Sequence, residues 1–326
     1  MMFLTKKFNL GTILMLFCIL LSACGPSPEE QSATAAVLTA AAATSTPTIT
    51  PTSRVLVTSD GSELPYSIDG NGIPCVVVGD PFTPEKALSE ELRRQIQFIF
   101  MHSRGNVPSE SLGVTDELTL ETFLDDIEEL RVSLDLEKIC VFGHSIYGLY
   151  ALAYARQYPD HTSHVIMNAT PPGHDMVIRQ MADEYWRSQA SEERKQALAE
   201  NWASPQEPYP FCSWCSGYVK NGPKYWHDFT YDASWLLDGW YDNPDPGDLL
   251  YDLLAQYDVD AGDELTVPVF LSLGKSDFLV PYFSWDGRGA TLLDLSIHVF
   301  QRSGHWPMLE EQALFDEKLI EWMYTR

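Results

Sequence analysis

Apolar segments of strand length alternate with segments of helical periodicity from residue 54 to the C-terminus. The predicted strands are residues 54–58, 64–68, 73–78, 96–101, 138–142, 164–167, 267–273 and 295–300. Continuous apolar strands separated by helices are typical of a parallel sheet that is covered on both faces. The first two strands flank a turn containing Asp60-Gly61 and predict an antiparallel pair. The pattern therefore predicts an α/β domain over residues 54–326.

Residues 174–262 interrupt this alternation, and they contain six of the nine tryptophans. We interpret this segment as an inserted helical cap. Because a small cap must build its own core from large side chains, some of its aromatic residues are expected to pack internally. Others are expected to line the entrance for a substrate.

The composition excludes several classes of function. Asp and Glu number 46 against 21 Lys and Arg, which gives a net charge of -25. This charge opposes binding to nucleic-acid phosphates and to anionic membrane surfaces, so no nucleic acid is expected as a partner. The 326 residues are 45% hydrophobic, enough for a sizeable core, and six cysteines are too few for a disulfide-stapled scaffold.

Residues 1–23 have the pattern of an export signal. Lys6 and Lys7 precede an apolar run over residues 10–21 that is too short to span a bilayer comfortably. Leu21-Ser22-Ala23-Cys24-Gly25 then resembles the bacterial lipobox, in which the cysteine is lipidated and becomes the first mature residue. The resemblance implies an extracytoplasmic protein anchored to the bacterial cell membrane by a lipid on Cys24. Ordinary secretion with an incidental Cys24 is the alternative.

The segment that follows, residues 24–53, is predicted to be a disordered tether. It is mostly Ala, Thr, Ser and Pro, and it has no aromatic residue. Such a composition cannot bury enough apolar surface to offset the entropy of ordering the chain. We therefore expect a flexible connection between the anchor and the α/β domain.

The candidate nucleophile is Ser145, in the sequence Gly143-His144-Ser145. This motif lies directly between the fifth predicted strand and a helical segment over residues 149–158. A serine on a sharp strand-to-helix turn projects its hydroxyl above the sheet, and small neighbours let the turn close.

This arrangement resembles the α/β-hydrolase family and, within it, the proline-iminopeptidase-like members. The resemblance extends from residue 54 onward, and it implies a mostly parallel central sheet flanked by helices, with Ser145 as the catalytic nucleophile. One position departs from the family pattern. Tyr147 stands where the second glycine of the pattern usually falls, and Gly148 follows it.

In this family the catalytic acid and histidine follow the serine in chain order. Asp277 comes directly after the seventh predicted strand, and His305 follows the eighth. The resemblance implies that His305 removes the proton from Ser145, while Asp277 holds the histidine tautomer and stabilises the imidazolium. Asp175, which follows the sixth predicted strand, is a competing candidate for the acid.

The oxyanion that forms on nucleophilic attack needs hydrogen-bond donors. The backbone N–H of Ile146, directly after the serine, is expected to be the first. The resemblance implies a second donor from the loop Val78-Gly79-Asp80-Pro81, where Asp80 would supply its N–H because Pro81 has none. We expect the Asp80 carboxylate to point inward and to recognise a substrate ammonium. The alternative is that it points outward or is neutralised by a base such as Arg104.

Two further groups of residues suggest sites. Cys212 and Cys215 have the spacing of redox pairs, and the alternatives are a catalytic pair, a structural or labile disulfide, and free thiols. The histidines at 161, 164 and 174 would bind a metal only if one surface presented them together, and their segment is predicted to be a loop entering a strand. We therefore expect neither a metal nor a cofactor.

The sequence thus predicts an extracytoplasmic, lipid-anchored serine hydrolase with a Ser-His-Asp triad and an acyl-enzyme. A serine esterase and a proline-iminopeptidase-like aminopeptidase are both consistent with it. The expected partners are a small ester, an aminoacyl compound or a short peptide as substrate, and the membrane through the lipid anchor only. The alternative is a catalytically silent lipoprotein that uses the hydrolase fold to bind a ligand, which the departures at Tyr147 and Asp80 favour.

Overall fold

An eight-stranded sheet forms the centre of the computed structural model, which describes residues 52–114, 117–205, 209, 212 and 214–326. The strands are β1 (Thr52–Val57), β2 (Glu63–Gly70), β3 (Ile73–Val78), β4 (Ile96–Met101), β5 (Ile139–His144), β6 (Thr162–Asn168), β7 (Val269–Gly274) and β8 (Leu295–Phe300). Their order in the sheet is β1-β2-β4-β3-β5-β6-β7-β8. β2 pairs antiparallel with β1 and β4, and the remaining pairs are parallel. The predicted antiparallel pair and largely parallel sheet are confirmed.

Helices connect most of the strands and cover the sheet. They are α1 (Phe82–Ala87), α2 (Glu90–Arg93), α3 (Leu120–Ser133), α4 (Tyr147–Gln157), α5 (Met176–Gln189), α6 (Glu192–Ala203), α7 (Cys215–Lys220), α8 (Gly222–Tyr225), α9 (Pro244–Ala255), α10 (Pro307–Glu310) and α11 (Gln312–Met323). α5 to α9 all lie between β6 and β7, the part of the chain for which the sequence predicts a cap. Among the described residues, no helix is both long and apolar enough to cross a membrane.

Several strand boundaries differ from the predicted ones, and the end of β5 and the start of β7 have a clear physical reason. β5 continues to His144 because its ladder with β6 extends to the pair His144 and Asn168, which places Ser145 immediately after the last paired residue. β7 begins at Val269 rather than at residue 267. Pro268 precedes it and has no N–H to donate to a ladder, so the pairing of this interior strand starts at Val269.

Apolar side chains cover the two faces of the sheet in two clusters. Helices α3 and α4 contribute side chains to the first cluster, and α11 contributes side chains to the second. The α3 members are Phe123, Leu124, Ile127 and Leu130, and the α11 members are Phe315, Leu319, Trp322 and Met323. Burial on both faces holds the strands in register, so the loops at the carboxyl ends of the parallel strands occupy fixed positions.

A buried arginine joins the first hairpin to α3. Arg104 is 2% exposed, and its Nε and Nη2 lie 2.8 and 2.7 Å from the two carboxylate oxygens of Asp126. Its Nη1 lies 2.7 Å from the Asp60 carboxylate in the β1–β2 turn. Arg104 therefore pairs with these two acids, and the structure does not use it to neutralise Asp80. Asp126 is 3% exposed, so removing the guanidinium would leave a carboxylate in an apolar environment.

We predict that Arg104→Met lowers the free energy of unfolding by about 3–5 kcal/mol, because it leaves the buried Asp126 carboxylate without its charged partner. Urea denaturation of the purified protein measures this loss. Arg302→Met is the matched control, since the Arg302 side chain is 80% exposed beside Glu311, and it should cost about 1 kcal/mol or less. Equal losses in the two variants would contradict the prediction.

Candidate active site

Ser145 occupies a sharp turn between β5 and α4. Its φ is 55°, in the left-handed region that is unfavourable for a side chain other than glycine, and its N–H donates to the Asn168 carbonyl at 2.8 Å. The turn closes only because its neighbours are small. A side chain on Gly143 would overlap the Tyr147 carbonyl, and one on Gly148 would overlap the side chain of Thr170. The strand-to-helix turn expected for the nucleophile is therefore present.

The Tyr147 departure from the glycine pattern is compensated by Gly79. Gly79 has a φ of +83°, and a Cβ at this position would fall inside the space occupied by the Tyr147 ring. The loop after β3 therefore leaves space for the Tyr147 ring, and the turn at Ser145 keeps its shape. In the sequence Tyr147 is an anomaly and Gly79 is part of a separate motif, because the contact between them depends on the β3–β5 pairing.

Asp277 and His305 form a buried pair at the ends of β7 and β8. His305 Nδ1 lies 2.6 Å from Asp277 Oδ2, and the two residues are 3% and 0% exposed. The other carboxylate oxygen of Asp277 accepts the backbone N–H groups of Leu279 and Val280 at 2.8 and 2.9 Å. Three donors thus replace the water that burial removes from the carboxylate.

The competing acid, Asp175, has a different local role. Its carboxylate accepts the backbone N–H groups of Val177 and Ile178 at 2.8 and 2.9 Å, which caps the N-terminus of α5. Asp175 is also exposed. Asp277, and not Asp175, is the carboxylate that bonds to His305.

Ser145 and His305 both line a cavity of about 750 Å³, which lies under the helices that follow β6. Its wall combines aromatic side chains with charged groups of both signs. The aromatic members include Tyr147, Trp214, Tyr218, Tyr225, Trp240, Tyr251, Phe278 and Trp306, and the charged members include Asp80, Arg179, Asp183, Lys224, Asp242 and Asp248. The space is large enough for a small organic substrate beside the serine.

His144, directly before the serine, is a site residue for which the sequence predicted no role. Its ring lies 3.9 Å from the Trp306 ring and 4.8 Å from the His305 ring, and it lines the same cavity. Burial, together with the nearby His305, lowers the pKa of His144 well below the usual range. A neutral His144 adds no positive charge beside His305. In the sequence, the position of His144 directly before Ser145 was the feature that could have indicated a place in the site.

The two predicted oxyanion donors have different surroundings. Ile146 lies at the N-terminus of α4, and its N–H has no hydrogen-bond partner among the described residues. The Asp80 N–H instead donates to the Val78 carbonyl at 3.1 Å, in a tight turn that the positive φ of Gly79 permits. A role for Asp80 as second donor stays a prediction, and it requires that bond to be shared or broken.

The Asp80 carboxylate is bound to the start of α1. It accepts the N–H groups of Phe82 and Thr83 at 2.9 and 3.1 Å and also the Thr83 hydroxyl. Burial raises the pKa of Asp80 to about 6, although these bonds and the charge of Lys86 act in the opposite direction. Asp80 lines the cavity, but its oxygens are engaged by its own loop.

The remaining candidates lie apart from this arrangement. Cys212 and Cys215 form a disulfide rather than free thiols. His161 pairs with Glu128, His164 packs against Trp322 and His174 lies against Tyr251, so the structure does not bring the three histidines together. Within the part of the chain that the structure describes, no cluster of three metal-ligating side chains is found. Cys24 lies outside the described residues.

Comparison with known proteins identifies the family. The model of the alpha/beta hydrolase fold family matches residues 78–312. The AB hydrolase superfamily protein YclE of Bacillus subtilis (strain 168) is 30% identical over 272 residues, which cover 81% of this chain and 96% of that relative. The chain belongs to the α/β-hydrolase family.

Solved structures of α/β hydrolases share the fold at low identity. An esterase from Exiguobacterium antarcticum superposes with a TM-score of 0.57 at 17% identity, covering 84% of this chain and 100% of the esterase. A proline iminopeptidase from Mycobacterium smegmatis superposes with a TM-score of 0.61 at 17% identity, covering 84% and 98%. At this level of identity the α/β hydrolases share the architecture, and the substrate of this chain has to be argued from its own residues.

We predict that Gly79→Ala lowers the free energy of unfolding by about 2–5 kcal/mol, from the positive φ and the overlap with Tyr147. In a Tyr147→Gly background the overlap is gone, so the same substitution should cost about 1–2 kcal/mol. Urea denaturation of the four proteins forms a double-mutant cycle. An equal cost of Gly79→Ala in both backgrounds would contradict the compensation.

Proposed function

We propose that this protein is a serine hydrolase in which Ser145 is the nucleophile, His305 the base and Asp277 the acid. The observation that supports this most strongly is the buried 2.6 Å contact between His305 and Asp277, with His305 lining the same cavity as Ser145. Membership of the α/β-hydrolase family supports the same roles, because each residue follows the expected strand.

The proposed reaction passes through an acyl-enzyme. Ser145 Oγ attacks the substrate carbonyl carbon, His305 Nε2 takes the hydroxyl proton, and the carbonyl electron pair moves to the oxygen. The Ile146 N–H at the N-terminus of α4 stabilises that oxyanion. As the oxyanion collapses, His305 returns the proton to the leaving alkoxide or amine. His305 then removes a proton from a water molecule as the water oxygen attacks the acyl carbon, and it returns that proton to Ser145 Oγ as the carbon–Oγ bond breaks and the acid leaves.

The proposed substrate is a small ester or an aminoacyl compound. The size and aromatic lining of the cavity favour a compact, partly apolar acyl group. Esterases and a proline iminopeptidase are among the solved structures with this fold, and both activities use the same acyl chemistry. Recognition of a substrate amine by Asp80 is not favoured, because three donors of its own loop already bind its carboxylate.

We also propose that the mature protein is attached to the outer side of a bacterial cell membrane through a lipid on Cys24. The lipobox-like sequence behind an apolar signal supports this, and the Ala, Thr, Ser and Pro-rich residues that follow would act as the tether. Cleavage before Cys24 removes two lysines and no acid, so the mature chain is more acidic still. A lipid supplies the apolar attachment that such a charged surface lacks.

We predict that Ser145→Ala and His305→Ala each reduce kcat by about 10⁴-fold or more, because both act in one covalent mechanism. Asp277→Asn should be similarly severe and retain a trace. A panel of p-nitrophenyl esters and aminoacyl-arylamides measures turnover, and circular dichroism checks the fold. His161→Ala, outside the cavity lining, is the control and should retain full activity.

A fluorophosphonate probe separates the hydrolase from the silent binding protein. An activated serine is labelled, and labelling should disappear in Ser145→Ala and persist in His161→Ala. Absence of labelling and of turnover in the wild type would instead support a ligand-binding lipoprotein. Near-normal activity in Ser145→Ala would remove the assignment of the nucleophile.

Cys24→Ala should abolish attachment through the lipid, since it removes the proposed site of lipidation. Cell fractionation and electrophoretic size measure the effect: the variant should be released as soluble protein or remain unprocessed. Cys18→Ala, within the signal itself, is the matched control and should fractionate as the parent does. A Cys24→Ala protein that is processed and membrane-bound like the parent would contradict the lipoprotein proposal.

A further inference from the structure

A short segment of the chain, residues 223–227, contacts both loops that carry the proposed acid and base. We call it the strap. The Tyr225 carbonyl accepts the N–H of His305 at 2.6 Å. Gly304 lies so close to the same carbonyl that a Cβ on Gly304 would overlap it. The strap therefore touches the backbone of the proposed base directly, and only glycine fits beside it.

The strap also holds the residues on either side of Asp277. The Lys224 carbonyl accepts the N–H of Phe278 at 3.1 Å, and His227 Nδ1 lies 2.8 Å from the Ser276 hydroxyl. Asp277 and His305 are 28 residues apart in sequence, and β8 lies between them. The strap adds a second connection between their loops besides the Asp277–His305 contact itself.

One carboxylate fastens the strap to the His305 loop. Glu310, at the end of α10, accepts the N–H of His227 at 2.6 Å on one oxygen and the N–H of Gly304 at 2.7 Å on the other. Burial raises the pKa of Glu310 to about 7, although its backbone hydrogen bonds act in the opposite direction. The carboxylate is thus a bridge between the residue before His305 and the last residue of the strap.

One guanidinium holds the strap from the other side. Arg194 of α6 is 8% exposed, and its Nη atoms donate to the carbonyls of Pro223, Trp226 and His227, each at 2.7 Å. It also lies over the Phe278 ring, 5.2 Å from the centroid. The Arg194 guanidinium binds the carbonyls of the strap, and the Glu310 carboxylate binds one of its N–H groups. These charge-assisted hydrogen bonds restrict movement of the strap backbone.

We propose that Glu310 and Arg194 are positioning residues, which act through the strap to fix the positions of His305 and Asp277 relative to each other and to the cavity. Neither side chain lines the cavity, so neither is expected to touch a substrate. A base displaced by a fraction of an ångström transfers protons poorly, whereas ground-state binding depends on the cavity wall. The inference rests on the proposed Ser145 mechanism for its rate effect, but not for its effect on the His305–Asp277 contact.

The test compares Glu310→Gln and Arg194→Lys with the wild type at pH 8.5, where the Glu310 carboxyl is ionised. In Glu310→Gln the amide NH₂ group faces the N–H of either His227 or Gly304, and two donors cannot form a hydrogen bond. The variant therefore loses the bridge between these two residues but keeps the side-chain volume. We expect kcat per fluorophosphonate-titrated site to fall by about 10–100-fold, with KM within about 3-fold. Arg194→Lys keeps the charge but not the planar fork, and kcat should fall in the same way. Glu317→Gln, exposed on α11, is the control and should change neither constant.

A second readout does not depend on turnover. The proton shared by His305 Nδ1 and Asp277 should give a far-downfield proton resonance in the wild type and in Glu317→Gln. It should broaden or disappear in Glu310→Gln, because a loosened loop exposes the contact to solvent exchange. Unchanged resonance and unchanged kcat per titrated site in Glu310→Gln would overturn the proposal, even if that variant melts at a lower temperature. If the wild type neither labels nor turns over, the hydrolase proposal fails, and the resonance alone still decides the role of the strap.

Discussion

The buried contact between Asp277 and His305 is the interaction on which the site depends. A carboxylate with no exposed surface is stable only where donors replace its lost hydration, and here His305 and two backbone N–H groups do so. That requirement constrains the chain on both sides of the acid: the turn after Asp277 must close on its own carboxylate, and the loop after β8 must deliver an imidazole to it. The remaining features of the site, from the strap to the glycine at 304, keep those two loops together.

Much of this could be predicted from the sequence because strand ends are visible in it. Apolar runs locate the parallel strands, and the carboxyl ends of parallel strands meet at one edge of a sheet, so Ser145, Asp277 and His305 were expected to be neighbours. The family resemblance supplied their order. The sheet and its antiparallel first pair agree with the predicted pattern. Pro268 lies within the apolar run that predicts β7, and because it has no N–H the strand starts at Val269.

The features that sequence reasoning missed are contacts between distant segments. Tyr147 is an anomaly in a local motif, and it becomes intelligible only beside Gly79, which the strand pairing brings to it. The sequence predicts that the Asp80 carboxylate binds a substrate amine, whereas in the structure it accepts the N–H groups of Phe82 and Thr83 at the start of α1. Glu310 and Arg194 have no recognisable motif, because their partners are backbone groups, which every residue carries.

The strap also constrains how a substrate reaches the serine. Tyr225 and Trp226 lie on the side of the cavity that is bonded to the His305 loop, and Trp226 is 1% exposed and stacks on Trp306. A lid that opened there would break the bonds that align the proposed base. The exposed cavity residues are elsewhere, at Arg179 and Asp183 on α5, at Asp248 and Tyr251 on α9, and at Trp214 just before α7. Solvent therefore reaches the cavity along a side that includes α5 and α9, where the Tyr251 hydroxyl and His174 Nε2 lie 3.1 Å apart, and a substrate that enters there leaves the hydrogen bonds between the strap and the loops of Asp277 and His305 intact.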